Sequence, residues 1–296
     1  MKQRGFTLIE LAIVLVIVTI LIGGLAMPLS AQIQARRIGE TNRTLEEARE
    51  AIIGYAMSHT IASTCTCIYT GTPPVRDTTS TCPISLCPAT STANLLLPIT
   101  RHYLPCPDMN GTDPESQDND GVNGAVDLNN GVEDRYTMGS DPGRCAASSG
   151  NLPWVTLGTA AQDAWGNRIH YSVTDNPTSA IMYGNSSSGF SNTSMGNNHV
   201  CLTSAGGCNT GTVASNVPVV LVSYGPNGWG ARNVNGNTLK DPTSDDEKEN
   251  TDADTRFVSR TPSKAGDASG EFDDLVVWIS DGLLRSRLCP APGGCP

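Results

Sequence analysis

The residue with the clearest chemical consequence is Glu10, which is the only charged side chain between residues 6 and 29. A carboxylate inside a membrane segment costs on the order of 2.5–3.5 kcal/mol, so its presence predicts a partner of opposite charge. If the chain is cut between Gly5 and Phe6, the new α-amino group of Phe6 provides that charge at the same depth. A buried ion pair is favourable only when both charges are present and well placed. We therefore interpret Glu10 as an assembly and register device that receives the amine of a neighbouring copy.

A second group of residues has the chemistry of a hard-cation site. Between residues 108 and 134, Asp and Asn side chains recur at short spacing with glycines between them. Oxygen ligands on tight turns are what Ca²⁺ uses, which makes calcium the candidate ion. The pattern is not an EF-hand, because Gly121 comes too early and the twelfth position lacks a Glu. The alternative is an acidic, solvated loop. The candidate ligands in this segment are Asp108, Asn110, Asp113, Asp118, Asp120 and Asp127.

The sequence contains no recognisable catalytic motif. It lacks the Gly-x-Ser-x-Gly, His-Glu-x-x-His and phosphate-loop patterns, and its four histidines are scattered along the chain. His170 lies in an alternating run that predicts a strand, where a structural role is more common than a catalytic one. We therefore expect a protein that is not an enzyme.

The apolar run around Glu10 predicts a membrane helix that continues into an amphipathic one. Residues 6–29 would span about 36 Å as a helix, and a bilayer core is about 30 Å thick. Pro28 predicts a kink or loosening near the end of this run. From residue 30 to about residue 58, apolar side chains recur every three or four positions, which predicts a stripe packed on a globular domain. The stripe consists of Ile38, Leu45, Ala48, Ile52 and Tyr55.

Composition narrows the class of protein. The net charge of −10 argues against a general nucleic-acid-binding surface, so we expect no nucleic acid among the partners. Ten cysteines in 296 residues fit disulfides in an oxidising compartment. Few aromatic residues and abundant Gly, Ser, Thr and Asn indicate a loop-rich extracytoplasmic β domain.

The basic leader, Gly5 and the run Phe6-Thr7-Leu8-Ile9-Glu10 together resemble the N-terminus of type IV pilins and type II secretion pseudopilins. The resemblance implies that a prepilin peptidase/methyltransferase cuts after Gly5 and methylates Phe6. It also implies a pilin-like α+β fold, in which one long N-terminal α-helix packs on a small antiparallel β-sheet with long disulfide-tied loops. A secretory signal peptide and a plain membrane anchor are the alternatives, but the run is too long for the first, and neither explains Glu10.

Two further resemblances concern the globular head. The Leu104-Pro105-Cys106-Pro107 motif is similar to one in large minor-pilin-like proteins, and it implies a Cys106–Cys145 disulfide. Such a bridge closes a loop of about 40 residues, which contributes roughly 3–4 kcal/mol. The Ser223-Tyr224-Gly225 turn and the acidic pair Asp273 and Asp274 resemble a metal-binding element of pseudopilins. The long loop 229–270 departs from that pattern, so this pair can also be a strand-start cap or exposed.

The other cysteines predict local disulfides. The segment 61–100 is rich in Thr, Ser, Pro and Cys, and it needs disulfides because it has few core residues. Four cysteines allow three pairings, of which we expect the nested one, Cys65–Cys87 with Cys67–Cys82. A zinc site is the rival interpretation. We also expect a hairpin-like Cys201–Cys208 bridge and a terminal Cys289–Cys295 bridge.

These observations divide the chain into a leader (1–5), a transmembrane and assembly half-helix (6–29), an amphipathic half-helix (30–60), an insertion (61–100) and a β-rich head (101–296). We expect a structural subunit, minor and tip-located, of a type IV pilus (fimbrium) or a secretion pseudopilus. Its partners are other pilins and an inner-membrane assembly platform. It spans the inner membrane once, with a cytoplasmic N-terminus, before it enters a periplasmic pseudopilus or an extracellular pilus. The alternatives are a pilus-displayed adhesin or ligand-binding subunit and, third, a membrane-anchored periplasmic enzyme.

Overall fold

The structure is a computed structural model. It describes residues 7–80, 82, 86–109, 129–135, 143–174, 183–184, 189, 196–208, 211–252 and 254–289, with the side chains of residues 22–29 also left out. In chain order the described elements are α1 (Leu8–Ser58), β1 (Thr60–Cys67), β2 (Tyr69–Thr70), β3 (Val75–Arg76), β4 (Leu95–His102), β5 (Ser149–Asn151), α2 (Trp154–Leu157), β6 (His170–Val173), β7 (Asn198–Cys201), β8 (Thr212–Val217), β9 (Val219–Ser223), α3 (Asp245–Glu249), β10 (Arg256–Val258), β11 (Leu275–Ile279) and α4 (Asp281–Leu288).

The central element of the head is β9, a strand of five buried residues. It lies inside an antiparallel four-stranded sheet with the order β11-β9-β6-β5. Successive side chains of a strand point to opposite faces, so a strand covered on both sides reads as a continuous apolar run. Val219 and Leu221 belong to one apolar cluster, and Val220 and Val222 belong to another. The head therefore has two cores that share this strand.

Helix α1 covers the first of these faces with its C-terminal half. Leu45, Ala48 and Ile52 are fully buried in the same cluster as Leu221 and Leu284 of α4. Ile38, one stripe position earlier, is only half-buried. The predicted amphipathic stripe is thus confirmed where the helix meets the head. The helix is assigned without a break through Pro28, where the sequence predicts a kink or loosening.

A second, three-stranded sheet with the order β10-β7-β8 lies over the other face of β9. Val200 of β7 and Phe257 of β10 pack in one cluster with Val220 and Val222. The sheet that carries α1 is antiparallel, as predicted, whereas the β10–β7 pairing in this second sheet is parallel. Parallel neighbours need a long crossover connection, and here β8, β9 and α3 lie between the two strands along the chain. The fold class is α+β, as predicted.

The predicted insertion forms an arm, which we define as residues 60–102. Strands β1 and β4 pair antiparallel over all eight of their residues, from Thr60 opposite His102 to Cys67 opposite Leu95. The four cysteines of the arm form two disulfides that pack on Ile99. None of these cysteines offers a free thiolate, so the zinc interpretation is wrong.

The disulfide pairing in the arm differs from the nested one. Cys65 is bonded to Cys82 and Cys67 to Cys87, with Cα–Cα distances of 4.9 and 5.7 Å. A nested pairing requires the segment 82–87 to run antiparallel to β1. Instead, the two bonded pairs follow the same direction along the chain, Cys65 with Cys82 and then Cys67 with Cys87, and the backbone N–H of Cys82 donates to the carbonyl oxygen of Thr66. The sequence gives no sign of this direction, because both arrangements use the same cysteine spacing.

The remaining bridges agree with the predictions wherever they are described. Cys106 and Cys145 are bonded across a sequence separation of 39 residues, and Cys201 and Cys208 across 7. Residue 295 of the predicted terminal bridge lies outside the described residues.

A buried turn fastens α1 to the end of β9. The Asp163 carboxylate accepts hydrogen bonds from the backbone N–H groups of Trp165 and Asn167 at 2.9 and 3.0 Å. Its other oxygen accepts from the Ser223 hydroxyl at 2.7 Å, and the neighbouring Ala164 N–H donates to the Thr41 hydroxyl of α1 at 3.2 Å. The turn therefore holds the C-terminal end of β9 and helix α1 together.

The packing of α1 predicts the effect of shortening its buried stripe. Ile52→Ala should reduce the free energy of unfolding by roughly 2–5 kcal/mol, because it removes apolar contacts and leaves a cavity. Met57→Ala, an exposed position on the same helix, should change it by less than about 0.5 kcal/mol. Urea unfolding of the full chain in mild detergent, followed by near-ultraviolet circular dichroism, measures both values. Equal effects would contradict the packing of this stripe.

The arm pairing predicts which thiol appears when one partner is removed. Cys65→Ala should release the thiol of Cys82, whereas the nested pairing would release that of Cys87. In the matched variant Cys67→Ala the released thiol should be Cys87. Alkylation without reduction, followed by peptide mass spectrometry, locates the label. A label on Cys87 in Cys65→Ala would show that the observed pairing is wrong.

Candidate functional site

The N-terminus of α1 is held by a reciprocal cap between Thr7 and Glu10. The Glu10 carboxylate accepts from the backbone N–H and the hydroxyl of Thr7 at 2.9 and 2.8 Å, and the Glu10 N–H donates to the Thr7 hydroxyl at 3.4 Å. This capping box satisfies donors that the first helical turn would otherwise leave open. Sequence reasoning assigned no role to Thr7, although its spacing to Glu10 is that of a capping box. Gly5 and Phe6 lie outside the described residues.

The first turns of α1 present apolar side chains to the surroundings. Leu8, Leu15 and Leu21 are each more than half exposed, and burial begins only where the helix meets the head, at Thr41. Among the residues that the structure describes, no helix has the length and hydropathy needed to cross a membrane. The segment 6–29 therefore remains a prediction as a transmembrane helix.

The head contains a candidate metal centre, which we call the carboxylate cluster, made of Glu247, Asp273 and Asp274. One carboxylate oxygen of each lies within 4.8 Å of one from each of the others. Glu247 belongs to α3, whose N-cap is Ser244, and the two aspartates directly precede β11. The long loop 229–270 thus returns to the last strand and brings the three carboxylates together.

Amide groups hold one oxygen of each carboxylate. Glu247 Oε1 accepts from the Asn227 side-chain amide and from the Asp273 N–H, both at 3.2 Å. Asp273 Oδ2 accepts from the Asn227 N–H at 3.2 Å, and Asp274 Oδ2 accepts from the Asn250 side-chain amide at 2.8 Å. Glu247 Oε2 and Asp273 Oδ1 are buried and have no hydrogen-bond partner.

A glycine turn is required for this arrangement. Gly225 follows β9 with φ at +58°, and a Cβ atom there would lie 2.2 Å from the carbonyl oxygen of Asp273. Any side chain at this position would therefore displace Asp273 or strain the turn. The Ser223-Tyr224-Gly225 turn, which the sequence related to a metal-binding element, does pack against the acidic pair.

Burial dominates the electrostatics of the carboxylate cluster. It raises the pKa of Asp273 to about 7, with the neighbouring charges of Glu247 and Glu271 adding to the effect. It raises the pKa of Asp274 well above its usual range and also raises that of Glu247. In each case the carboxylate loses hydration that its hydrogen bonds only partly replace. Ionisation of the three carboxyl groups is therefore unfavourable in this buried environment.

The structure brings together some of the sequence-predicted ligands and not others. Asp273 and Asp274 lie in the cluster, whereas Glu247 was missed because nothing in the sequence shows that α3 folds back onto β11. Asp108 is buried elsewhere, where its backbone exchanges hydrogen bonds with Asn151 at 3.0 and 2.8 Å. The other candidates, Asn110, Asp113, Asp118, Asp120 and Asp127, lie outside the described residues.

Ser149 and His170 are the described pair closest to a catalytic arrangement. Ser149 Oγ lies 3.1 Å from His170 Nε2, beside a cavity of about 320 Å³ that Arg168 and Arg232 also line. Burial lowers the pKa of His170 to about 4, which makes it a weak base at neutral pH. Among the described residues, no carboxylate hydrogen-bonds its ring. The pair therefore lacks the group that orients the base in a nucleophilic triad.

Comparison with known proteins gives one match. Residues 1–26 match the family model described as the prokaryotic N-terminal methylation motif. This motif is the prepilin-type signal of type IV pilins and pseudopilins, and it implies processing by prepilin peptidase and membrane insertion before assembly. No curated protein and no solved structure matches the chain.

The low pKa of His170 predicts a pH dependence of stability. Its pKa lies at about 4 in the folded chain against 6.5 normally, so only the unfolded chain takes up the proton between these values. Its contribution to stability is full above about pH 6.5 and falls toward pH 4, by at most roughly 1.4 kcal/mol per pH unit. His170→Gln should remove this loss. Unfolding free energies of both chains from pH 7.5 to 4.5 measure it, and parallel curves would contradict it.

Proposed function

Because the chain carries the prepilin-type signal, we propose that it is a structural subunit of a type IV pilus or a type II secretion pseudopilus, assembled through α1. The observation that carries the proposal is the placement of Glu10. This lone carboxylate is held at the start of a 51-residue helix by the Thr7 cap, four positions along the sequence from the residue that becomes the new N-terminus.

The chemistry of processing fits this placement. Hydrolysis of the Gly5–Phe6 peptide bond yields a carboxylate on Gly5 and an α-amino group on Phe6, which the same enzyme methylates. The methylated amine keeps its positive charge. The amine and Glu10 are four residues apart in the sequence of one subunit, and a neighbouring subunit offers the same pair in the opposite role. Each subunit in a filament can therefore neutralise the next.

The shape of α1 supports assembly through its first half. Its C-terminal half is buried on the sheet of the head, whereas the side chains described between residues 8 and 21 are mainly exposed and apolar. Such a surface is stable in a lipid bilayer and, after extraction, against the same segment of other subunits. The transition from membrane to filament then replaces lipid contacts with subunit contacts.

We place the subunit at or near the filament tip. The arm and the long loops of the head add bulk beyond the helix and central sheet, and a tightly wound shaft leaves little room for it. A tip position removes this steric constraint on one side. The head would then face the periplasm or the exterior, where its disulfides are stable.

A second candidate function is that of a displayed adhesin or ligand-binding subunit. The arm favours it, because its two disulfides make a compact unit that exposes Val75, Leu86 and Leu96. Exposed apolar side chains on a stapled hairpin are a common basis for protein contacts. Filaments bearing Leu96→Asp with Val75→Asp would assemble normally but lose binding to host or surface material if this role is correct.

Neutralising Glu10 tests the proposed function. Glu10→Gln should still be cut after Gly5 but should enter filaments at least about tenfold less, because the amine of the neighbouring subunit loses its counter-charge. Glu47→Gln is the matched control, since Glu47 lies on the same helix in an exposed pair with Arg43. N-terminal sequencing of the mature chain and immunoblots of sheared filaments measure processing and incorporation.

Two results would contradict the proposal. A mature chain that begins near residue 32 instead of Phe6 would indicate a cleaved secretion signal. Incorporation of Glu10→Gln at the wild-type level would show that this carboxylate has no part in assembly.

A further inference from the structure

We propose that the head binds a sugar acid, a small ligand with one carboxylate and several hydroxyl groups, in a cavity between the central sheet and the loop 229–270. We call it the arginine cavity, because Arg168 and Arg232 both line it. The proposal gives the second candidate function, ligand binding, a site in the head and not on the arm. It requires no filament, so it and the assembly proposal can fail separately.

One face of the central sheet brings the residues of the arginine cavity together. Arg168 lies two positions before His170, the first residue of β6, and residues at this spacing share a face. Asn151 of β5 lies opposite His170. An isolated antiparallel bridge one position away places Arg232 opposite Arg168, and the Arg168 N–H donates to the Arg232 carbonyl oxygen at 2.8 Å. Both arginines therefore extend from the same face.

The two arginines form a pair of like charges that the described residues compensate only in part. Side chains directly opposite in an antiparallel pair have Cβ atoms roughly 4.5–5.5 Å apart, and like charges there are destabilising. Among the described residues, neither arginine forms an ion pair with a carboxylate, and none of those that line the cavity is acidic. The charge of Asp108 partly offsets the burial that lowers the pKa of Arg168. The positive charge of Arg232 is thus left for a ligand to neutralise.

Arg168 is held in place by the protein, whereas Arg232 keeps donors for a ligand. The Arg168 Nη1 and Nη2 atoms donate to the carbonyl oxygens of Ala161 at 3.0 Å and Val234 at 3.4 Å. The described hydrogen bond of the Arg232 guanidinium runs from Nη1 to the Gly236 carbonyl oxygen at 3.3 Å. A guanidinium has five N–H donors in a fixed fork that matches a carboxylate. We therefore assign the direct contact with the ligand carboxylate to Arg232.

The volume and the other lining groups set the size and polarity of the ligand. The cavity measures about 320 Å³, at the lower end of the roughly 300–1,000 Å³ of small-molecule sites, so a single sugar ring suits it. Hydroxyl and amide groups line it beside the arginines, from Ser149, Asn151, Thr238 and Thr251. Such groups both donate and accept hydrogen bonds, as sugar hydroxyls do. Thr238 is exposed, so the cavity opens to solvent at this side.

Charge separates a sugar acid from a neutral sugar and from phosphate. A neutral sugar would leave the Arg232 charge without a partner. A phosphate group carries about 1.5 to 2 negative charges at neutral pH, more than the single charge that Arg232 leaves open. Free phosphate also lacks the ring of hydroxyl groups that the threonines and Asn151 can bind. A uronic acid has one carboxylate and several hydroxyls, which matches both features of the cavity.

Saturation-transfer difference NMR on the full chain in mild detergent at pH 7, with D-glucuronate as the probe, tests the site. Arg232→Gln should weaken binding by at least about tenfold, because it removes a charged hydrogen-bond donor. Lys240→Gln is the matched control and should leave binding unchanged, since Lys240 is an exposed cation whose ammonium lies 4.2 Å from the centre of the Trp229 ring. D-Glucose tests the hydroxyl groups alone and inorganic phosphate the charge alone, and each should bind at least about tenfold more weakly than glucuronate.

Thermal unfolding separates a ligand contact from a structural role. Without ligand, Arg232→Gln should melt at or above the wild type, because it removes the repulsion between two opposite arginines. Glucuronate should raise the melting temperature of the wild type and of Lys240→Gln but not that of Arg232→Gln. Loss of binding together with a lower ligand-free melting temperature in Arg232→Gln would show a structural role and overturn the proposal. So would a wild type that does not bind glucuronate, equal binding of glucose or phosphate, or unchanged affinity in Arg232→Gln.

Discussion

The head depends on the burial of one face of α1 against the sheet around β9. The chain has few aromatic residues, and the largest of its described apolar clusters forms at this contact. Leu45, Ala48 and Ile52 come from the helix, and Val219 and Leu221 come from the strand. The opposite face of β9 is used equally, by Val220 and Val222. A single five-residue strand therefore organises both cores.

Around this framework, buried polar side chains connect the loops to the helices and strands through hydrogen bonds. Asp163 ties the helix to the end of β9, while Asn250 accepts from the Val258 N–H and donates to Asp274. Asp246 joins the Thr203–Ser204 turn to Arg260. These buried contacts connect segments far apart in the chain. Because each group is desolvated, each is effective only while its partner stays in place.

The parts of the fold that follow from local patterns could be predicted from the sequence. The 3.6-residue stripe of α1 and the apolar run of β11 needed no tertiary information, and the Cys106–Cys145 bridge followed from family resemblance. The arm pairing and the position of Glu247 depend on the direction in which a loop returns, which leaves no periodic trace in the sequence. The parallel β10–β7 pairing has the same cause. Thr7 is different, since its capping spacing to Glu10 was visible but the carboxylate was considered only for its role between subunits.

The junction between α1 and the arm has a mechanical consequence. Only His59 separates the end of the helix from β1, and its ring stacks on that of Tyr55 with centroids 3.7 Å apart. A pull applied to the tip of the hairpin would reach α1 at His59 through β1 and the head at Leu104 and Cys106 through β4. Since Cys65–Cys82 and Cys67–Cys87 close the tip loops, that end has little slack to unravel. Tension at the tip would thus divide between the helix axis and the disulfide-bonded start of the head.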